Sequence, residues 1–294
     1  MRTVLDTARR GHAGLYWTAL AMTALAAAFV VLALVDPREL LGAPLWFKPL
    51  KFAISIAAYT AALAWMLGRL PGPALQRTGW AIVAGLWLEI VIIAGQAARG
   101  QLSHFNDDGG TGSLLFAIMG ATITIVFLLN AAVAVRFLRE RSIEADLATA
   151  VRVGLLVTLV GMSVGFLMTA VGAHTVGLPD GGPGLPLVGW STVGGDLRIG
   201  HFVGLHALQV LPLLAAALAS VAPTLDVPTR VRVLKVVGLG YLGLIVLLTA
   251  QALRGQPLLG PDVVTLGLLA LLVVGTGLGL GAVGRRRATS AGSR

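Results

Sequence analysis

Residues 78–101 read TGWAIVAGLWLEIVIIAGQAARGQ, and residues 233–256 read VLKVVGLGYLGLIVLLTAQALRGQ. Each is an apolar run of about 20 residues, long enough as a helix to cross a hydrocarbon core of roughly 30 Å. A helix satisfies its own backbone groups in lipid, whereas a spanning β-barrel needs alternating polarity, which neither run has. Both runs close on the same polar signature, Gln-Ala-x-Arg-Gly-Gln, at a shift of 155 residues. Without gaps, residues 46–120 match residues 201–275 at 21 of 75 positions. The matches include Pro73/Pro228, Arg77/Arg232, Gln96/Gln251, Arg99/Arg254 and Asp107/Asp262. At the same shift Lys51 falls on His206, Trp46 on His201 and Glu89 on Leu244.

The whole chain follows this pattern. Of its 294 residues, 56% are hydrophobic and 12% charged, against about 25% charged in soluble domains. Apolar runs predict eight spans, at 14–35, 49–69, 78–98, 113–135, 153–174, 199–221, 233–253 and 263–284. The expected fold class is therefore all-α, a polytopic helical membrane protein. Its eight transmembrane helices would form two parallel four-helix repeats, residues 1–145 and 146–284, with a basic, frayed tail at 285–294. Even-numbered repeats share one orientation and imply a pseudo-two-fold axis along the membrane normal. Spans one and five are partners by position without a clear residue match.

With both termini in the cytoplasm, 16 of the 22 Lys and Arg residues fall on the inner side. These are Arg2, Arg9, Arg10, Arg69, Arg77, Arg136, Arg139, Arg141, Arg152, Arg230, Arg232, Lys235, Arg285, Arg286, Arg287 and Arg294. This is the positive-inside signal, and it predicts a bacterial cytoplasmic (inner) membrane protein. The net charge of +9 is accounted for by topology and anionic lipid, with no nucleic-acid partner called for. There is no cysteine, which excludes disulfides, thiol nucleophiles and Cys-ligated clusters. The Gly/Pro-rich loop at about 175–198 reads either as an ordered cap or as a connector. The glycines of span eight, Gly267, Gly275, Gly277, Gly279 and Gly281, read as helix packing positions.

The polar residues in and near the spans are the candidate site. Glu89 stands mid-span, where an ionised carboxylate costs several kcal/mol unless paired or protonated. On a helix Glu89, Gln96 and Arg99 share a face, forming a stripe toward Ser103 and His104. Arg99 and Arg254 end equivalent helices; with Gln96 and Gln251 they either cap structure or hold an anionic group such as a propionate or phosphate. His104, His174, His201 and His206 map to the outer side, while His12 reads as solvated. Asp196 is an N-cap candidate. His201 and His206, five apart, are poorly placed to share one metal ion unless the helix is interrupted. Lys51 lies deep in span two; Trp46 and Lys48 before it read as interface anchors.

The strings Trp46-Phe47-Lys48-Pro49-Leu50-Lys51-Phe52, Gln96 to Asn106 and GDLRIGHFVGLHALQVLPL (195–213) resemble those of an uncharacterised family of bacterial multi-pass membrane proteins. In architecture only, two four-helix halves with outer histidines, the chain is similar to haem A synthase. That family's acidic outer-loop motif is absent, and Lys51 stands where a symmetric His would be. No ligand assignment follows from the resemblance.

Three readings stay open. In a haem- or quinone-linked oxidoreductase, His206 with His174 or His104 would ligate haem b, His201 would belong to the cofactor-binding set with Lys51, and Arg99 and Arg254 would meet propionates. In a carrier or lipid-binding protein, Glu89 and the Arg pair would form a path or pocket for a small anion, a proton-coupled substrate or another small hydrophobic ligand. In a metal-dependent hydrolase, His104, His201 or His206 with Asp196 would bind the metal.

Overall fold

The computed structural model describes residues 2–70, 72–106 and 109–292. The Asp107 of the Asp107/Asp262 match and Arg294 lie outside the described residues, as do the side chains of Arg2, Arg286 and Arg287.

The chain is all-α. Its helices are α1 (Arg2–Gly11), α2 (Ala13–Val35), α3 (Phe47–Leu67), α4 (Pro73–Ala98), α5 (Thr111–Arg139), α6 (Ala145–Val171), α7 (Leu197–Leu205), α8 (Ala207–Val221), α9 (Val227–Leu253) and α10 (Val263–Gly292). Two antiparallel two-residue pairs, β1 (Glu39–Leu40) with β2 (Ala43–Pro44) and β3 (Thr175–Val176) with β4 (Gly195–Asp196), pin loops. Seven described helices are long and apolar enough to span a membrane, and the number is eight if α7 and α8, which meet at a 43° bend, cross as one span. The protein is an integral multi-pass membrane protein in contact with lipid.

The helices outrun the hydropathy windows at their N-terminal ends. α6 begins at Ala145 and α9 at Val227, where the expected spans began at 153 and 233. A hydropathy window stops at the first charge, but long basic side chains let the helix continue into the headgroup layer. The true stops are local: Pro73 at the first turn of α4, and Asp226 capping α9 through the Thr229 amide at 3.1 Å.

By packing, the chain divides into residues 1–133 with 180–189, and residues 134–179 with 190–294. In the first unit α3 packs against α1, α2 and α4. The α1–α2 junction corrects one expectation, since His12 is 1% exposed and not solvated. Its Nδ1 accepts the Leu15 amide at 3.1 Å, so its proton sits on Nε2, which donates to the Gln76 carbonyl at 2.9 Å. Gln76 Nε2 in turn donates to the Gly11 carbonyl at 2.6 Å. Trp46 is likewise no lipid-facing anchor: it is buried, stacks on Phe29 at 5.7 Å, and donates Nε1–H to Asp36 at 2.8 Å. Residues 180–189 form an ordered cap on this unit, where Lys51 Nζ donates to the Val188 carbonyl at 2.9 Å.

In the second unit α6 is central and packs on α7, α8 and α9, while α10 packs on α9. Val157, Ala207 and Ile245 form one core cluster and Ala150, Leu211, Ala215 and Leu234 another. Most of α10 faces outward. Gly279 meets Val236, but Gly267, Gly275, Gly277 and Gly281 face open space, so the packing role expected of those four is not found within the chain. The tail expected to fray from 285 continues α10 to Gly292.

Candidate functional site

Glu89 is 4% exposed, and its Oε1 is buried without a hydrogen-bond partner among the described residues. It lies on the inward face of α4. One turn toward the C-terminal end of α4, Ile92 and Ile93 pack on Met119, with Phe52 and Leu115 around them. One turn the other way, Gly85 brings α4 against α5: a Cβ there would stand 2.8 Å from Val126 Cγ2 and 3.3 Å from Thr122 Cγ2. Deeper still, Tyr59 of α3 donates to Asn130 Oδ1 of α5 at 2.7 Å.

Gln96 and Arg99 share Glu89's helix but engage other groups. Gln96 Nε2 donates to the Leu102 carbonyl at 3.0 Å, and Arg99 Nη1 donates to Gln96 Oε1 at 3.2 Å. Gln101 N–H bonds back to the Gln96 carbonyl and Gly100 N–H to that of Ala97, with Gly100 at φ 68°. This is a Schellman cap, which needs a left-handed residue after the helix. The second copy of the motif builds the same cap. Gln251 Nε2 donates to the Pro257 carbonyl at 2.7 Å, Gln256 and Gly255 bond back to Gln251 and Ala252, and Gly255 has φ 71°. Arg254 is engaged by Asp262, which caps α10, and by Thr265 Oγ1 at 3.1 Å.

His104 sits among Phe52, Phe105 and Phe116 at centroid distances of 5.6, 6.3 and 5.9 Å, with Ser103 Oγ 3.1 Å from Nδ1. In the second unit His201 Nδ1 lies 2.8 Å from the Gly161 carbonyl. A carbonyl only accepts, so Nδ1 carries the proton and Nε2 keeps its lone pair. The His174 carbonyl accepts the Leu197 amide at 3.0 Å. His206 is the residue at the break between α7 and α8, edge-on to Phe202 at 4.5 Å. The interruption falls at His206, after both histidines, and the His206 amide still bonds back to the Phe202 carbonyl at 3.3 Å, so the bend does not bring His201 and His206 together.

The break frees carbonyls inside a span, and neighbouring helices take them up, as lipid requires. Tyr241 donates to the Val203 carbonyl at 2.7 Å, and Thr158 Oγ1 lies 3.4 Å from the carbonyls of both Gly204 and Leu205. Gly161 and Gly204 let α6 and α7 meet at backbone distance, since a Cβ on Gly161 would stand 2.6 Å from Gly204 Cα.

Asp196 caps α7 as expected, accepting the Arg198 amide at 3.0 Å. It also accepts the Ser191 amide at 2.8 Å and the Arg198 guanidinium at 2.6 Å, and is 1% exposed. Sequence reasoning missed that this clip recurs. Asp36 accepts the Arg38 amide at 3.2 Å and its guanidinium at 2.7 Å. These bonds, with the Trp46 donor, hold the Asp36 carboxyl well below the usual range. The readable signal was Asp36-Pro37-Arg38 beside Asp196-Leu197-Arg198. Also missed were Tyr59 with Asn130, and Thr158 with Tyr241, which carry no motif.

Among the described residues no three His, Asp or Glu side chains gather as a metal site. No family model, curated protein or solved structure matches the chain. What stands of the resemblances is a multi-pass helical membrane architecture.

Proposed function

We propose that this protein is a carrier of the bacterial cytoplasmic membrane, with both termini inside, whose working group is the Glu89 carboxyl. The observation that carries this is Glu89 Oε1, buried in a spanning helix without a hydrogen-bond partner among the described residues. Ionisable groups in spans are costly, and persist where they bind or relay an ion or substrate. Two features support the reading. Helices α7 and α8 meet at a 43° bend at His206, and discontinuous helices are common in carriers. The repeated cap and the 155-residue shift support descent from a duplicated four-helix unit, the usual origin of carrier folds. The solute class is a small anionic or hydrophobic molecule.

The test is flux in liposomes loaded with a pH dye and challenged with a panel of small carboxylates. The expected result is solute-evoked acidification in wild type that falls more than tenfold in Glu89→Gln. A wild-type protein silent across the panel counts against the carrier.

A second reading, a haem b or quinone protein, is favoured by His201. An imidazole that donates Nδ1–H to a backbone carbonyl presents Nε2 as metal ligands do, and Gly165 leaves room beside the ring. An absorption spectrum of purified protein before and after dithionite decides it. A Soret band lost in His201→Ala supports haem; a featureless spectrum from folded protein removes it.

A further inference from the structure

Resting on the carrier reading for its role in a cycle, but not for its chemistry, we propose that the ion held at Glu89 is a proton. The side chain rests as the neutral acid and gives up its hydrogen when the carrier turns over.

The surroundings of Glu89 decide between a proton and a metal cation. A hard cation takes about six or more oxygen ligands at roughly 2.4 Å. Glu89 offers two oxygens of its own, and Oε1 has no neighbour within hydrogen-bond reach among the described residues. The side chains packed one turn away are Ile92, Ile93 and Met119, with Phe52 and Leu115 behind them. Thr122 turns its methyl toward Gly85. The amide that could have reached in, Gln96, is tied to Leu102 and Arg99, and the Tyr59 hydroxyl is spent on Asn130.

Among the described residues no basic side chain forms an ion pair with Glu89, and Lys51 of the neighbouring α3 donates to the Val188 carbonyl. The basic residues of the same helix, Arg77 and Arg99, stand twelve and ten residues away, which is about 18 and 15 Å along the axis. A bare carboxylate in such a place costs several kcal/mol, whereas a protonated one is a small polar group. A proton needs no coordination shell, so it is the one ion this environment can hold. Toward the α4 C-terminal side the groups packed together are apolar, Phe52, Ile92, Ile93 and Met119.

Dicyclohexylcarbodiimide reads this state directly. It is apolar and reacts with carboxylic acids: the acid hydrogen moves to a carbodiimide nitrogen and the carboxyl oxygen bonds the central carbon. An acyl shift to nitrogen then leaves a stable N-acylurea, with nothing expelled. The full chain in detergent is treated near neutral pH and the adduct located by peptide mass spectrometry. One adduct on Glu89 is expected, absent in Glu89→Gln and unchanged when sodium replaces choline at constant ionic strength. Folded, monodisperse protein without a Glu89 adduct overturns the proposal, and so does severalfold protection by sodium. As a check independent of the reagent, Glu89→Gln mimics the neutral acid and should keep the wild-type Tm; a clear drop reveals a charged partner and overturns it. The adduct forms whether or not any solute moves, so failure of the liposome experiment with labelling intact rejects the carrier alone.

Discussion

Asp36 and Asp196 hold the same clip in different surroundings, and the difference fixes what each is worth. Asp196 is 1% exposed and its arginine side chain 29% exposed. Removing one partner of a buried pair strands the other, so Asp196→Ala should cost about 3 kcal/mol, read as a loss of Tm in detergent. Asp36→Ala leaves an arginine that is 52% exposed and should cost clearly less. Acid sensitivity has a worked sign at Glu140 at the foot of α5. The Ser142 amide and hydroxyl, the Arg141 amide and Arg136 hold its carboxyl down at about 2, from an ordinary 4.5. A depressed folded-state value adds stability that is full above the unfolded value and lost as pH falls through the folded one. The 139–142 turn should therefore keep its amide protection at pH 5 and lose it between about pH 4.5 and 2, as hydrogen exchange would show; loss of protection above pH 5 would contradict the assignment. Which polar residues would be spoken for was not readable from sequence. Glu89 and Asp196 are both lone acids in an apolar context; only the packed chain shows one saturated and the other without a partner at Oε1.

At the scale of elements, the break at His206 is held by its neighbours. Tyr241→Phe removes the one hydroxyl on the Val203 carbonyl, and a lost interhelical hydrogen bond of this kind costs about 1 kcal/mol. Gly161→Leu forces side-chain atoms into the Gly204 backbone and should lower Tm by more than Tyr241→Phe does; equal or greater stability would show that α6 and α7 do not meet there. Seven of the eight expected spans were legible as hydropathy, and the eighth was read straight. Its bend was not legible because no glycine or proline stands at the break itself: Pro212 is six residues on. Around the bend stand the backbone contact with α6 and two hydroxyls, Thr158 of α6 and Tyr241 of α9. The short α1 was missed for a related reason. Its ten residues are too few and too polar for a span, and it is fixed by His12 and Gln76, 64 residues apart in sequence.

For the whole molecule, the absence of native cysteine makes orientation measurable one position at a time. With cytoplasmic termini, Leu259→Cys should react with an impermeant maleimide from outside intact cells, and Arg141→Cys only after lysis. The reverse pattern would invert the topology. The lipid-facing shell agrees with an embedded chain: Leu34, Val221, Val263 and Leu271 are 70% or more exposed, a surface only lipid covers at low cost.

The twin Schellman caps carry a mechanical consequence. Helices usually adapt to a membrane by fraying or extending at their ends. Here α4 and α9, of 26 and 27 residues, are stopped at the C-terminal end by a glycine turn and by a glutamine that grips the departing strand of chain. Neither can shed or gain a turn there. At roughly 39–40 Å both exceed the hydrocarbon layer, and their rigid lengths oblige them to lean, or to thicken the lipid around them, as bilayer width changes. The pair therefore works as a fixed ruler, making the protein's tilt an indicator of the thickness of the membrane that holds it.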